Sequence, residues 1–97
     1  MQVELQVRRL KYLQRMVRFP QHHVQPIAAV YAQEEGYKDA WLLRVTEDLR
    51  CFEEHDDFHW CCERVMDDMT LLFTCEDFKE CFLMLDVAWL RAKSREN

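Results

Sequence analysis

Ninety-seven residues hold one domain, because domains commonly run to roughly 100–150 residues and a second core has no room. With 49% hydrophobic and 12% aromatic residues against one Gly and two Pro, the composition excludes collagen-like, linker-like and disordered chains, which bury too little apolar surface to offset chain entropy. The net charge of -5 averages three unequal blocks: residues 1–33 carry five bases and one acid, residues 34–86 five bases and sixteen acids, and the tail from Val87 three bases and one acid.

In the first element Val3, Leu5, Val7, Leu10, Leu13, Met16 and Val17 recur mostly at three- and four-residue steps, with Arg8, Arg9, Lys11, Gln14, Arg15 and Arg18 between them. This spacing predicts an amphipathic helix with a basic outer face. Phe19-Pro20 ends it, since proline biases the preceding residue away from helical geometry. Residues 21–25 read as a connector, and Pro26 suits the first turn of a second helix through Ala32, where its missing N–H costs nothing. Gly36 is placed to close that helix.

Asp39 is a candidate cap for a third helix carrying Trp41, Leu42, Val45, Leu49 and Phe52 to about Glu54. Asp56 or Asp57 is a candidate cap for a fourth, with Phe58, Cys61, Cys62, Val65, Met66 and Met69 on one side. Residues 69–74 form an apolar run short enough for a strand or a helix end. Thr74-Cys75-Glu76-Asp77 has the form of a capping box for a fifth helix with Phe78, Cys81, Phe82, Leu85 and Trp89 in line. The expectation is an all-α fold, residues 1–97 forming a single small orthogonal or bundle-like domain of four to five amphipathic helices. Its predicted core is Leu10, Leu13, Val17, Val30, Trp41, Val45, Leu49, Phe58, Val65, Phe78, Phe82, Leu85 and Trp89.

No apolar run approaches the roughly 18 residues a membrane span needs, and Met1 leads into Gln-Val-Glu-Leu-Gln rather than a secretory signal. Five cysteines with no export signal point to reduced thiols and a cytoplasmic or nuclear setting, with no membrane partner.

Two clusters carry possible chemistry. Cys51, His55, His59 and Cys62 fall at steps of four, four and three, residue types that bind Zn²⁺, but four ligands on one straight helix cannot close a tetrahedron. A site would need Cys75, Cys81 or His22-His23 as well; the expectation is surface histidines and packed cysteines, with no metal and no cofactor. The second cluster, Val65-Met66-Asp67-Asp68-Met69, resembles the catalytic hairpin of reverse transcriptases, in which paired Asp side chains hold Mg²⁺. Val65 stands where that hairpin has an aromatic residue, Cys62-Glu63-Arg64 lacks its apolar strand, and 97 residues cannot hold a polymerase. Helical period puts Asp67 and Asp68 in water, and the chain is expected not to be an enzyme.

Residues 8–20, Arg-Arg-Leu-Lys-Tyr-Leu-Gln-Arg-Met-Val-Arg-Phe-Pro, resemble the Arg-Arg-Leu-Arg-Trp-Leu-Gly-His-Val-Leu-Arg-Met-Pro segment downstream of the polymerase domain in LINE-type retroelement proteins. Residues 41–49, from Trp41 through Val45 to Asp48-Leu49, are similar to the Trp-x-x-x-Val-x-x-Asp-Leu element that follows there. Together they span about half the chain, with Tyr12 for Trp, Gln14-Arg15 for Gly-His and an acidic Gln33-Glu34-Glu35 for the basic linker. The resemblance implies a piece of a larger polyprotein that helps hold nucleic acid near a polymerase. Arg8, Arg9, Lys11, Arg15 and Arg18 are the expected contacts to phosphate or to an acidic partner. The alternative is a small protein–protein interaction module in which Tyr12, Trp41 or Trp60 anchors the partner.

Overall fold

The computed structural model describes residues 2–32, 40–55 and 57–96. The described residues form seven α-helices and no strand: α1 (Gln2–Arg18), α2 (Val24–Tyr31), α3 (Ala40–Arg50), α4 (His59–Asp67), α5 (Leu71–Thr74), α6 (Glu76–Met84) and α7 (Trp89–Glu96), with a 3₁₀ turn at Pro20–His22. The all-α class is as expected. The count exceeds four or five because the apolar run at 69–74 contributes a short helix and the predicted fifth helix divides in two.

α1 follows its apolar period. Val7, Leu10, Leu13, Met16 and Val17 are buried, and the helix packs against α3, α6 and α7. Proline ends it as predicted, the Phe19 N–H still reaching the Arg15 carbonyl. α2 begins two residues before Pro26, which sits third in the helix, within the first turn where a proline N–H would have no intrahelical partner. The proposed caps Gly36, Asp39 and Asp56 lie outside the described residues.

α3 stops at Arg50, short of Glu54, because its continuation tightens. The N–H groups of Cys51, Phe52 and Glu53 bond carbonyls three residues back, and the turn places Phe52 fully inside, 5.4 Å from the Trp89 ring. Asp57 does not cap α4; the His55 carbonyl takes the N–H groups of Phe58 and His59 instead. Asp68 is not simply solvated. Its Oδ1 accepts the backbone N–H of Thr70 at 3.0 Å and the Thr70 hydroxyl, turning the chain from α4 into α5. The Thr74 capping box does not form, since the Thr74 hydroxyl donates to the Thr70 carbonyl at 3.1 Å and α6 starts with no side-chain cap.

The split between α6 and α7 has a tertiary cause. The Gln14 amide, on α1, donates to the Phe82 carbonyl at 2.9 Å and the Leu85 carbonyl at 2.8 Å. These bonds satisfy carbonyls that a continued helix would have claimed. Leu85 turns to extended geometry, and Asp86 Oδ1 then accepts the Ala88 N–H to start the turn into α7. The kink buries Leu85, Val87 and Leu90 together. Eleven of the thirteen predicted core residues are buried, while Trp41 and Trp89 are half-buried at the rim. A radius of gyration of 12.8 Å is close to the roughly 13 Å of a folded 100-residue domain. Among the described residues no helix is long and apolar enough to cross a membrane.

Candidate functional site

The outward side of α1 carries the densest exposed positive charge of the first block. Arg8, Lys11, Arg15 and Arg18 follow at steps of three, four and three, so they share one stripe of the helix, and all four are exposed. None makes a side-chain hydrogen bond or ion pair with a described residue. Lys11, Arg15 and Arg18 border a shallow depression of about 270 Å³ together with Gln14 and Phe19.

Arg9 is different. It was expected among the phosphate contacts, yet its guanidinium is turned onto α3, with Nε 2.7 Å from Asp48 Oδ2 and one terminal nitrogen 3.1 Å from Oδ1. Asp48 is 2% exposed, so this two-point pair also supplies a buried carboxylate with its partner. The hydrogen bonds to Asp48 hold the Arg9 guanidinium above its ordinary pKa. Position on the helix, one residue round from the stripe, decides this role; residue type does not reveal it.

A second ion pair neutralises the lone acid of α1. Arg91 Nε donates to Glu4 Oε1 at 2.6 Å, and that hydrogen bond holds the Glu4 carboxyl below the usual carboxylate range. Glu4 and Asp48 are thus hydrogen-bonded to Arg91 and Arg9; of the four stripe cations, Arg8 also lies near enough to Glu4 to help lower its pKa.

Two of the three expected aromatic anchors come together. Tyr12, 40% exposed, lies 5.7 Å from the Trp41 ring and 5.5 Å from the His23 ring, tilted 56° to each. With Gln25, Pro26 and Ala29 of α2, Tyr12 and Trp41 line a groove of about 400 Å³. The contact requires α1 and α3 to lie antiparallel, as the Arg9–Asp48 and Gln6–Cys51 contacts also show. Sequence reading took residues 21–25 as a connector and missed His23 and Gln25 as neighbours of Tyr12; no local signal marks them. Trp60 is not part of this group. It stands 54% exposed on α4, edge-on to Phe78 at 5.0 Å, with the Arg64 guanidinium 5.3 Å over the same Phe78 ring.

The two chemical clusters dissolve into packing. His59 Nδ1 pairs with the Glu53 carbonyl at 2.9 Å, the His55 ring stands edge-on to Trp89 at 4.9 Å, and the Cys62 thiol donates to the Leu49 carbonyl at 3.4 Å. Among the described residues no three His, Cys, Asp or Glu side chains converge to hold a metal ion. Between α4 and α6 the Cys61 thiol donates to the Phe58 carbonyl at 3.6 Å and the Cys81 thiol to the Asp57 carbonyl; burial, with the neighbouring Cys81 thiol, pushes Cys61 up to about 12. Burial likewise pushes Cys62 up to about 11. Asp67 and Asp68 lie where α4 gives way to α5, between helices rather than between strands.

Comparison with known proteins returns no matching family model, no matching curated protein and no matching solved structure.

Proposed function

We propose that the chain is a non-catalytic helical binding module that contacts nucleic-acid phosphates through Arg8, Lys11, Arg15 and Arg18, in the setting the retroelement resemblance implies, beside a polymerase of the same polyprotein. The observation that carries this is the unpaired stripe itself: four exposed cations in line on one helix, with Glu4 and Asp48 answered by other arginines. Phosphate contacts of this kind position a strand without reading bases, so binding is weak and insensitive to sequence. The sixteen acids of residues 34–86 oppose it, and confine measurable binding to low salt.

Titration of labelled single-stranded RNA tests the proposal. Each phosphate contact to a single strand contributes about 0.7 to the salt slope, so four contacts weaken binding roughly 50-fold between 50 and 200 mM salt. The Arg8→Glu, Arg15→Glu, Arg18→Glu variant loses both the binding and the slope. Equal and negligible binding by the two proteins at low salt would defeat it.

A second reading, a module that binds protein, draws support from Trp60. An exposed tryptophan on α4, remote in sequence from the stripe and unused by a phosphate contact, has the character of an interface anchor. A partner lost on Trp60→Ala but retained by the triple glutamate variant favours that reading.

A further inference from the structure

The phosphate-contact proposal makes no use of the groove lined by Tyr12 and Trp41, and the groove has a chemistry of its own. We infer that the groove lined by Tyr12, Trp41, Pro26 and Ala29 receives one unstacked base of a single-stranded nucleic acid whose phosphates lie on the α1 cations, an inference that rests on the phosphate-contact proposal.

Three features point to a base. The Tyr12 ring is held between His23 and Trp41, with centroids 5.5 and 5.7 Å away, and is still 40% exposed, so it offers an ordered aromatic surface to solvent. Nucleobases stack on such surfaces with little regard to sequence, because every base has a π-face. Pro26 and Ala29 give apolar walls, and among the described lining residues the Gln25 amide, besides Tyr12 and Trp41, offers a polar group that donates and accepts. Among the described residues no charged side chain lines it, which suits a neutral flat ring better than a phosphate. Its volume of about 400 Å³ falls in the range of small-ligand sites, roughly 300–1,000 Å³.

Charge placement then fixes the class of ligand. Arg8 lies one turn before Tyr12 on the same face of α1 and Arg15 one turn after it, both exposed and unpaired among the described residues. The two are separated by roughly 10 Å along the helix axis, which brackets the groove with cations on both sides. A base in the groove and its flanking phosphates on Arg8 and Arg15 would use all three elements at once. Bases inside a duplex are stacked and paired and cannot enter. The groove therefore selects single strands, which the cation stripe alone does not do.

The test compares a labelled single-stranded RNA of about ten nucleotides with an abasic strand of equal length and charge, at low salt. One stacked base is expected to give the RNA a roughly 5- to 150-fold tighter affinity. Tyr12→Ala should bring the two strands within about twofold of each other without changing the affinity of the abasic strand. Ala29→Phe, which fills the groove and keeps the Tyr12 and Trp41 rings, should do the same. Equal affinity of the unsubstituted protein for both strands overturns the base site and leaves the phosphate stripe standing. Absence of binding to either strand defeats the stripe, and the base site with it. A poly-glutamate peptide that binds as tightly as the RNA and is lost in Tyr12→Ala assigns the groove to an acidic protein segment and overturns the base site.

Discussion

α1 and the stretch from Cys51 to Trp89 obey different rules. α1 runs 17 residues, its buried positions keep the helical period from Val7 to Val17, and proline stops it where the sequence says it should. Between Cys51 and Trp89 the described chain makes three helices of nine, four and nine residues, none opened by a side-chain cap. Helices shorter than about 12–15 residues are marginal alone in water, so these persist through packing. Apolar period thus suffices where it repeats over many turns. In short segments the ends are set by whichever carbonyl or side chain the rest of the fold brings near.

The sharpest way to break that contrast is to truncate one buried side chain in each region. Phe82 is fully buried against Phe58, with ring centroids 6.0 Å apart, and Leu13 is fully buried on α1. Phe82→Ala is expected to cost about 3–5 kcal/mol in urea unfolding and to lower the native helical circular dichroism signal, because α4 and α6 lose the contact that holds them. Leu13→Ala should cost about 2–5 kcal/mol and leave that signal unchanged. Equal loss of helicity in both variants would erase the distinction.

A smaller effect probes the seam between α1 and α3. Arg9→Met strands a carboxylate that is 2% exposed, and is expected to destabilise by about 1–3 kcal/mol. Asp48→Asn keeps a hydrogen-bonding group beside an arginine whose side chain, 21% exposed, reaches water, and should cost about 1 kcal/mol or less. The reverse order would mean that the pair is not the interior contact described.

Alkaline pH tests the same interior without a substitution. Cys61 and Cys62 sit near 12 and 11 when folded, against an ordinary 9.0. Above pH 9 the unfolded chain gives up protons that the folded chain keeps, so stability is complete below pH 9 and falls as pH rises toward the folded values. The urea midpoint should decline between pH 9 and 11, and Cys61→Ala should flatten part of that decline. A midpoint that stays level would place these thiols in contact with water.

What the sequence determined is what local period encodes: the helical class, the buried stripe of α1, the cations that share its outer side, and most of the core. The pattern works because residues three and four apart on a helix meet whatever else the chain does. It did not reveal that Arg9 turns onto α3, since its partner Asp48 lies 39 positions away, nor that Tyr12 and Trp41 form one groove with Pro26. It also missed the break before α7, which follows from Gln14 reaching carbonyls 68 and 71 positions distant. Each of these depends on how the helices pack, because a side chain's partner across the core is fixed by the crossing of two elements and not by spacing within either one.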